Sequence, residues 1–362
     1  MTPPRQGRTA YDVAVVGGGV LGLTIAQEIV SRAPHARVVV LERDAVGSGA
    51  SRRSAGLHFP RGSTARLRAM AAHSQERYAA LKAARPELPV RGLGMTVVAP
   101  VAARARLEEV YLPQARLRPV PEVAGKTALL PEGMAAWEGD GCQYADVPAL
   151  TQLLARDLRR ATELREGVEV TAVTPGAGSV ELTLGTGGKL RAGHVVLAPG
   201  PWLAAPAWKD LVSPLGARVK KVVALHIEVP PTADDRAVVF QDEDAFLLPY
   251  HERGHWLFSY TCEEWDVAPD TVAASLTPAD RDAALTVLAR YAPHLIEHCV
   301  SGRVFCDAYG PGLEPLVRPL TADGRVVFAG AASGSGYRLA PAIAAETAHL
   351  LPVPSPRKGD LS

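Results

Sequence analysis

The sequence predicts an α/β protein in which a doubly wound parallel-sheet domain is interleaved with an antiparallel-sheet domain. Three observations carry this reading. A hydrophobic strand runs into a glycine-rich turn and a helix at the start, "YDVAVVGGGVLGLTIAQEI". A second glycine-rich turn opens a helix near the end, "AGAASGSGYRLAPAIAAE". Between them lie strand-rich stretches, so strands alternate with helices at both ends around a middle of different character. A chain of 362 residues, 47% hydrophobic, is long enough for two cores.

Composition narrows the class. Lys and Arg number 39 against 38 Asp and Glu, a balance that favours neither nucleic acid nor an anionic membrane. Cys142, Cys262, Cys299 and Cys306 show no CxxC or CxxH spacing, which argues against a disulfide framework or a zinc site. No apolar core of signal-peptide length precedes the first strand, and no apolar run reaches membrane-spanning length. The expectation is a soluble cytoplasmic protein with a disordered N-terminus and a disordered tail over 353–362.

The first element is a buried strand ending near Val16, followed by Gly17, Gly19 and Gly22 and a helix from Val20 to Arg32. The spacing is G-x-G-x-x-G. Gly17 serves the tight turn, Gly19 the approach of a pyrophosphate, and Gly22 close packing of helix on strand. The helix start offers N–H groups and the positive end of its dipole. The second strand, "ARVVVLERD", ends in Glu42, whose carboxylate suits ribose hydroxyls and repels a 2′-phosphate; Arg43 reads as a solvated neighbour or an adenosine contact. The next stretch, "AVGSGASRRSAGLHFPRG", is polar and glycine-rich where an NAD enzyme would carry a crossover helix. A longer flavin cofactor suits such a passage, with Gly49, Ala50, Ser51 and Gly56 allowing backbone approach.

Four separated segments carry a resemblance to one family: "LERD…GSGASRRSAG", "YADVPALTQLLARDL", "HVVLAPGPW" and "VVFAGAASGSGYRLAPAIAAE". In that order they resemble the D-amino acid oxidase superfamily of FAD-dependent oxidoreductases, which includes glycine oxidase, monomeric sarcosine oxidase and L-2-hydroxyglutarate dehydrogenase. The resemblance implies an FAD-binding, Rossmann-like domain over 1–90, 141–205 and 321–352, with a substrate domain over 91–140 and 206–320. It implies cofactor contacts from Val16, Val20 and Leu21 around the first loop, from Arg53, Ser54 and Leu57 in the flavin loop, and from Val168, Gly200 and Trp202. It also makes the second glycine loop part of the same nucleotide domain, with Gly334, Gly336 and Tyr337 at the flavin edge.

Candidate chemistry follows. Arg338 stands where sarcosine-oxidase-like relatives carry a carboxylate-holding lysine, and an arginine would hold a carboxylate bidentately. His58 is a candidate base or a structural loop histidine, and Arg61 would serve an acidic substrate. Cys306 falls near the position of the family's flavin-attaching cysteine, although C-x-Y has become C-x-x-Y, ending at Tyr309; covalent attachment and a plain buried thiol both stand. Tyr309 lies about where relatives carry a carboxylate-binding arginine. The lysine that sarcosine oxidase uses for oxygen activation has no counterpart near Leu257 or Phe258; Lys220 and Lys221, in another strand, read as a solvated pair, with one of them facing the flavin as the alternative. Tyr250 and Tyr260, on an expected hairpin turning at Glu252 to Gly254, are candidate pocket walls. The leading function is oxidation of a CH–NH bond of an amine or of an amino or imino acid, with oxygen as acceptor. Oxidation of a 2-hydroxy acid, with His58 as essential base, and a non-catalytic flavin-binding module are the alternatives.

Overall fold

Valine builds the first sheet. Val38–Leu41 is buried at every position and the last four residues of Tyr11–Val16 are buried, as strands covered on both faces require. In the computed structural model, which describes residues 11–272 and 276–352, these strands form the centre of an eight-stranded sheet. Its main order is Leu316–Pro319, Val326–Gly330, Lys189–Leu197, Tyr11–Val16, Val38–Leu41, Glu163–Arg165. All neighbours are parallel from Val326–Gly330 onward, and Leu316–Pro319 is an antiparallel edge. The strands Val170–Gly176 and Ser179–Leu184 extend it as an antiparallel meander onto the early half of Lys189–Leu197.

Helix Val20–Arg32 has the bounds that its sequence predicts, burying Leu23, Ile25, Ala26 and Ile29. It packs directly against the closing helix Gly336–Leu350. The two glycine-loop helices, from opposite ends of the chain, therefore lie side by side on one sheet.

A nine-stranded sheet forms the second unit, with main order Cys299–Tyr309, Arg218–Ile227, His255–Tyr260, Ala245–Tyr250, Ala237–Phe240, Val90–Pro100, Met134–Ala145, Leu57–His58. The expected hairpin is present: Tyr250 pairs with His255, and Gly254 takes φ +65° in the turn. One pair, Ala237–Phe240 with Val90–Pro100, is parallel, joining segments that are distant in sequence. Strand alternation divides the side chains between two faces. Val223, Leu225, Phe240, Leu247 and Phe258 pack with Leu288 and Tyr291 of helix Pro278–Tyr291, where the Phe240 and Tyr291 rings stack at 4.3 Å. Ala224, Leu248, Tyr250 and Leu257 belong to a separate cluster with Met95, Trp137 and Tyr144.

The first unit comprises the described parts of Met1–Arg52, Pro148–Arg218 and Ala308–Ser362; the second comprises Arg53–Val147 and Val219–Asp307. These boundaries correct those expected from sequence. Residues 53–90 and 141–147 join the second unit because Leu57–His58 and Val90–Pro100 pair with Met134–Ala145. The chain returns to the first unit at Ala308 rather than at 321. The disorder expected for 353–362 and for the first ten residues concerns positions outside the described residues. No described helix is long and apolar enough to cross a membrane.

Candidate active site

The first glycine loop has the geometry its spacing predicts. Gly17 takes φ +111°, and a Cβ there would stand 2.2 Å from the Ala198 carbonyl oxygen. A Cβ on Gly22 would meet the Gly17 carbonyl oxygen at 1.9 Å. Gly19 caps the helix with extended backbone and no side-chain cap. The Val20 N–H donates to Ser51 Oγ at 2.9 Å, and a Cβ on Gly19 would crowd the same oxygen at 3.1 Å. The loop is a shallow cradle floored by backbone at a helix start, suited to a pyrophosphate. Val16 and Val20 are buried beneath it and Leu21 is half-buried.

Glu42 is fixed beside this loop. Its Oε2 accepts from the Gly18 N–H at 2.7 Å and its Oε1 from the Asp44 N–H at 2.9 Å. The Val168 N–H donates to the Glu42 carbonyl at 2.9 Å, which sets Val168 next to the acid. Arg43 lies over the Trp202 ring, 4.7 Å from its centroid, and pairs with Asp44. Trp202 packs so closely on Gly49 that a Cβ there would touch the ring at 3.0 Å, and Gly200 turns the chain with φ +59°. Arg43, read as solvated or adenosine-bound, is a cation–π partner.

The second loop carries backbone strain. Ala331, Ser333 and Gly334 take φ of +50°, +51° and +74°. Non-glycine residues in this region cost energy and cluster where a loop has a task. The Ser333 N–H donates to the Ala308 carbonyl, the Gly310 N–H to the Ala331 carbonyl, both at 3.0 Å, and Tyr309 bridges Ala332. The buried Tyr309 places its hydroxyl 3.5 Å from where a Gly334 Cβ would be. A Cβ on Gly336, first residue of the closing helix, would meet nothing within 4 Å, so space lies open at that helix start. Tyr337 is buried behind it, and half-buried Arg338 folds back to donate to Ser335 Oγ at 2.9 Å. The two cradles, the held carboxylate and the open helix start fit FAD.

The flavin-loop residues divide. Ala50 and Ser51 lie in the short helix Ala50–Arg53, and the division of units falls after Arg52. In the second unit, Gly56 takes φ +68° with its Cβ position 2.1 Å from the Ala145 carbonyl oxygen. Its N–H donates to Ser54 Oγ, and Leu57 pairs with Tyr144. His58 differs from an accessible base: it is 0% exposed, its Nε2 lies 3.1 Å from Gln75 Oε1, and its ring meets Tyr78 edge-on. The strand Leu57–His58 is pinned to Met134–Ala145. Arg61 bridges Tyr111 through its backbone.

Other tyrosines and lysines also depart from expectation. Tyr250 donates from its hydroxyl to the Ala55 carbonyl at 3.0 Å, whereas Tyr260 packs on the cluster under helix Pro278–Tyr291. They occupy opposite faces of the hairpin and cannot wall one pocket. Lys220 is buried, paired with Glu263 and set over Trp265; Lys221 pairs with Asp280 at 2.7 Å and Glu264 at 2.8 Å. Acidic partners from the segment after the hairpin remove them from solvent, so they are not a solvated pair. The Cys306 thiol is 5% exposed, and burial, reinforced by the neighbouring Asp307, pushes it up to about 11.

Sequence reasoning missed three residues here. His226 sits between Ser301 Oγ and the Arg303 guanidinium, each at 3.3 Å, with His255 5.3 Å away ring to ring. Burial, reinforced by the Arg303 guanidinium, pushes it down to about 4. The third, Asp307, is half-buried, and desolvation raises its carboxyl to about 7. Its signal was a lone acid in the apolar strand "RVFCDAY".

A family model described as FAD dependent oxidoreductase (DAO) matches residues 12–350. The chain belongs to this family. This oxidoreductase also shares its fold with solved structures. Glycine oxidase from Geobacillus kaustophilus matches with TM-score 0.77 and 20% identity over 94% of each chain. L-proline dehydrogenase from P. horikoshii matches with TM-score 0.78 and 18% identity, covering 95% of this chain and 96% of that one. Iminodiacetate oxidase from Chelativorans sp. BNC1 matches with TM-score 0.75 and 18% identity, over 95% and 97%. No curated protein matches by sequence.

Proposed function

We propose that this FAD-dependent oxidoreductase oxidises the CH–NH bond of an amine or of an amino or imino acid. Bound FAD would supply the acceptor for the substrate hydride, with oxygen as the final oxidant. The solved relatives named for glycine, L-proline and iminodiacetate support an amine-type substrate.

The observation that carries the choice of amine over alcohol is the enclosure of His58. A hydroxy acid must lose its hydroxyl proton to a base within reach, and the histidine that would serve is sealed against Gln75 and Tyr78. An amine already neutral needs positioning only. His58→Asn should therefore leave most turnover of an amine substrate intact. Loss of all turnover in a variant that still binds FAD would instead favour the alcohol reading.

Residues of the first unit would hold the cofactor. Gly17, Gly19 and Val20 would cradle the pyrophosphate, Glu42 would take the ribose hydroxyls, and the helix start at Gly336 and Tyr337 would place positive dipole against the flavin edge. Arg338, released from Ser335, would orient the substrate, and Tyr309 would line its path. The cofactor would be held without a covalent bond, because a buried thiol kept protonated near neutral pH is a poor nucleophile. Acid precipitation should leave yellow colour in the supernatant; colour retained in the pellet overturns this. Anaerobic mixing with an amine panel should bleach the flavin, and no bleaching with any member refutes the proposed function.

A further inference from the structure

Among the described residues, Arg303 stands on the antiparallel sheet with no carboxylate paired to it. Other cations of the same unit are matched: Lys220 with Glu263, Lys221 with Asp280, Arg236 with Glu138 and Arg253 with Asp146. Arg303 has basic company instead. Strand alternation sets Ser301 and Arg303 on one face, and Gly302 presses them onto the neighbouring strand. A Cβ on Gly302 would stand 2.7 Å from the Ala224 carbonyl oxygen. His226, two residues beyond Ala224, has its Nδ1 3.3 Å from Ser301 Oγ and its Nε2 3.3 Å from Arg303 Nη1. His255, one strand further, lies 5.3 Å from His226 and 5.5 Å from Tyr250, ring to ring. All these residues belong to the second unit.

These contacts fix the protons. Arginine only donates, so His226 Nε2 accepts and the ring carries its hydrogen on Nδ1, towards Ser301. His255 Nδ1 lies 3.2 Å from the Arg253 carbonyl oxygen, which only accepts, so that ring also carries its hydrogen on Nδ1. Two nitrogens are left over. Arg303 Nε and His255 Nε2 are both buried and reach no partner among the described residues.

Arg303 and both imidazoles are half-buried and Ser301 is exposed, so the group borders solvent. A covered donor without an acceptor costs free energy, and a guanidinium cannot escape its charge by losing a proton. A water molecule would satisfy a nitrogen but leave the charge unbalanced. The other cation bearing on His226 is Arg253, which already holds Asp146 at 2.7 Å. An anion with two oxygens would answer both the charge and the orphan Nε–H, because a guanidinium edge matches a carboxylate. His255 would add an N–H at Nε2 on taking up a proton. Phosphate calls for more donors, and the main-chain N–H groups of Arg218–Ile227 and His255–Tyr260 serve their ladders.

We propose that Arg303, His226 and His255 form a binding site for a small carboxylate. Arg303 holds its two oxygens, and the imidazoles flank them. The inference uses side chains of the second unit alone and does not rest on the amine reading.

The test uses FAD-loaded enzyme whose histidines carry ¹³C at Cε1, with His226→Asn and His255→Asn identifying the two signals. Sodium acetate, exchanged for sodium chloride at constant ionic strength, should move both signals saturably. Half-saturation should fall on the order of 1 mM, as two charge-assisted hydrogen bonds imply. Methylammonium chloride should move neither signal. Arg303→Gln should weaken the acetate response about tenfold or more with flavin content unchanged; if that variant does not fold, the titrations of the parent enzyme decide. Signals that ignore acetate, that respond equally to methylammonium, or that respond as well in folded Arg303→Gln would overturn the site and leave the amine reading standing.

Discussion

Gly22 and Gly336 pose opposite problems to a methyl group. At Gly22 a Cβ meets the Gly17 carbonyl at 1.9 Å, so Gly22→Ala must shift the loop itself. At Gly336 it meets nothing within 4 Å. Gly22→Ala should therefore cost about 1–3 kcal/mol of stability and abolish FAD binding. Gly336→Ala should melt like the parent, so any fall in its ratio of flavin to protein absorbance reports a clash with cofactor alone. A normal flavin ratio in Gly336→Ala would place the flavin away from this helix start. Glycines were legible in the sequence because a backbone constraint is local: strand, spacing and acid sit within a few dozen residues. His58, Tyr260 and Asp307 were not. Whether each faces solvent, core or partner depends on strands that pair from far along the chain, and single-residue chemistry holds no record of that pairing.

At the scale of elements, helix Pro278–Tyr291 shows how local code and packing combine. Thr277 and Asp280 form a reciprocal cap: Thr277 Oγ1 accepts from the Asp280 N–H, and the Asp280 carboxylate accepts from Thr277. Thr277→Ala should cost about 1 kcal/mol, lowering the melting temperature by roughly 2–4 °C with turnover unchanged. Burial opposes ionisation of Asp280, yet Lys221 and Thr277 outweigh it and hold the carboxyl below its usual range. That stability is present above the ordinary carboxylate range and is lost as pH falls through the lowered value. His226 adds a second limb. Burial, Arg303 and His255 move it from 6.5 to about 4, so the unfolded chain binds a proton first and stability declines as pH drops across that window. Asp307, whose carboxyl is raised to about 7, works in the opposite direction over this window, so the His226 contribution is read as a difference: the melting temperature of His226→Asn relative to the parent should rise as pH falls from 7 to 5. The hairpin and both glycine-loop helices were readable from periodicity and turn residues, whereas the parallel pairing of Ala237–Phe240 with Val90–Pro100 had no local signature.

For the whole molecule, alternating composition predicted two interleaved units, but their borders follow hydrogen-bonded ladders. Residues 53–90 follow their pairing with Met134–Ala145, and the last crossing falls inside strand Cys299–Tyr309. Cutting at a sequence-derived border such as 90 would split a ladder, and the resulting fragments should remain insoluble while cuts at 52 and 147 sever fewer pairings. Expression yields of matched fragments would decide this.

The helix Val20–Arg32 lies against the helix Gly336–Leu350, and Lys189–Leu197 is sandwiched between Tyr11–Val16 and Val326–Gly330. During synthesis the opening strand and its neighbours must therefore wait, with one apolar flank bare, until helix Gly336–Leu350 has left the ribosome. Chaperones that shield nascent hydrophobic surface should associate with ribosome-bound chains stopped anywhere short of residue 350 and dissociate soon after the final helix emerges.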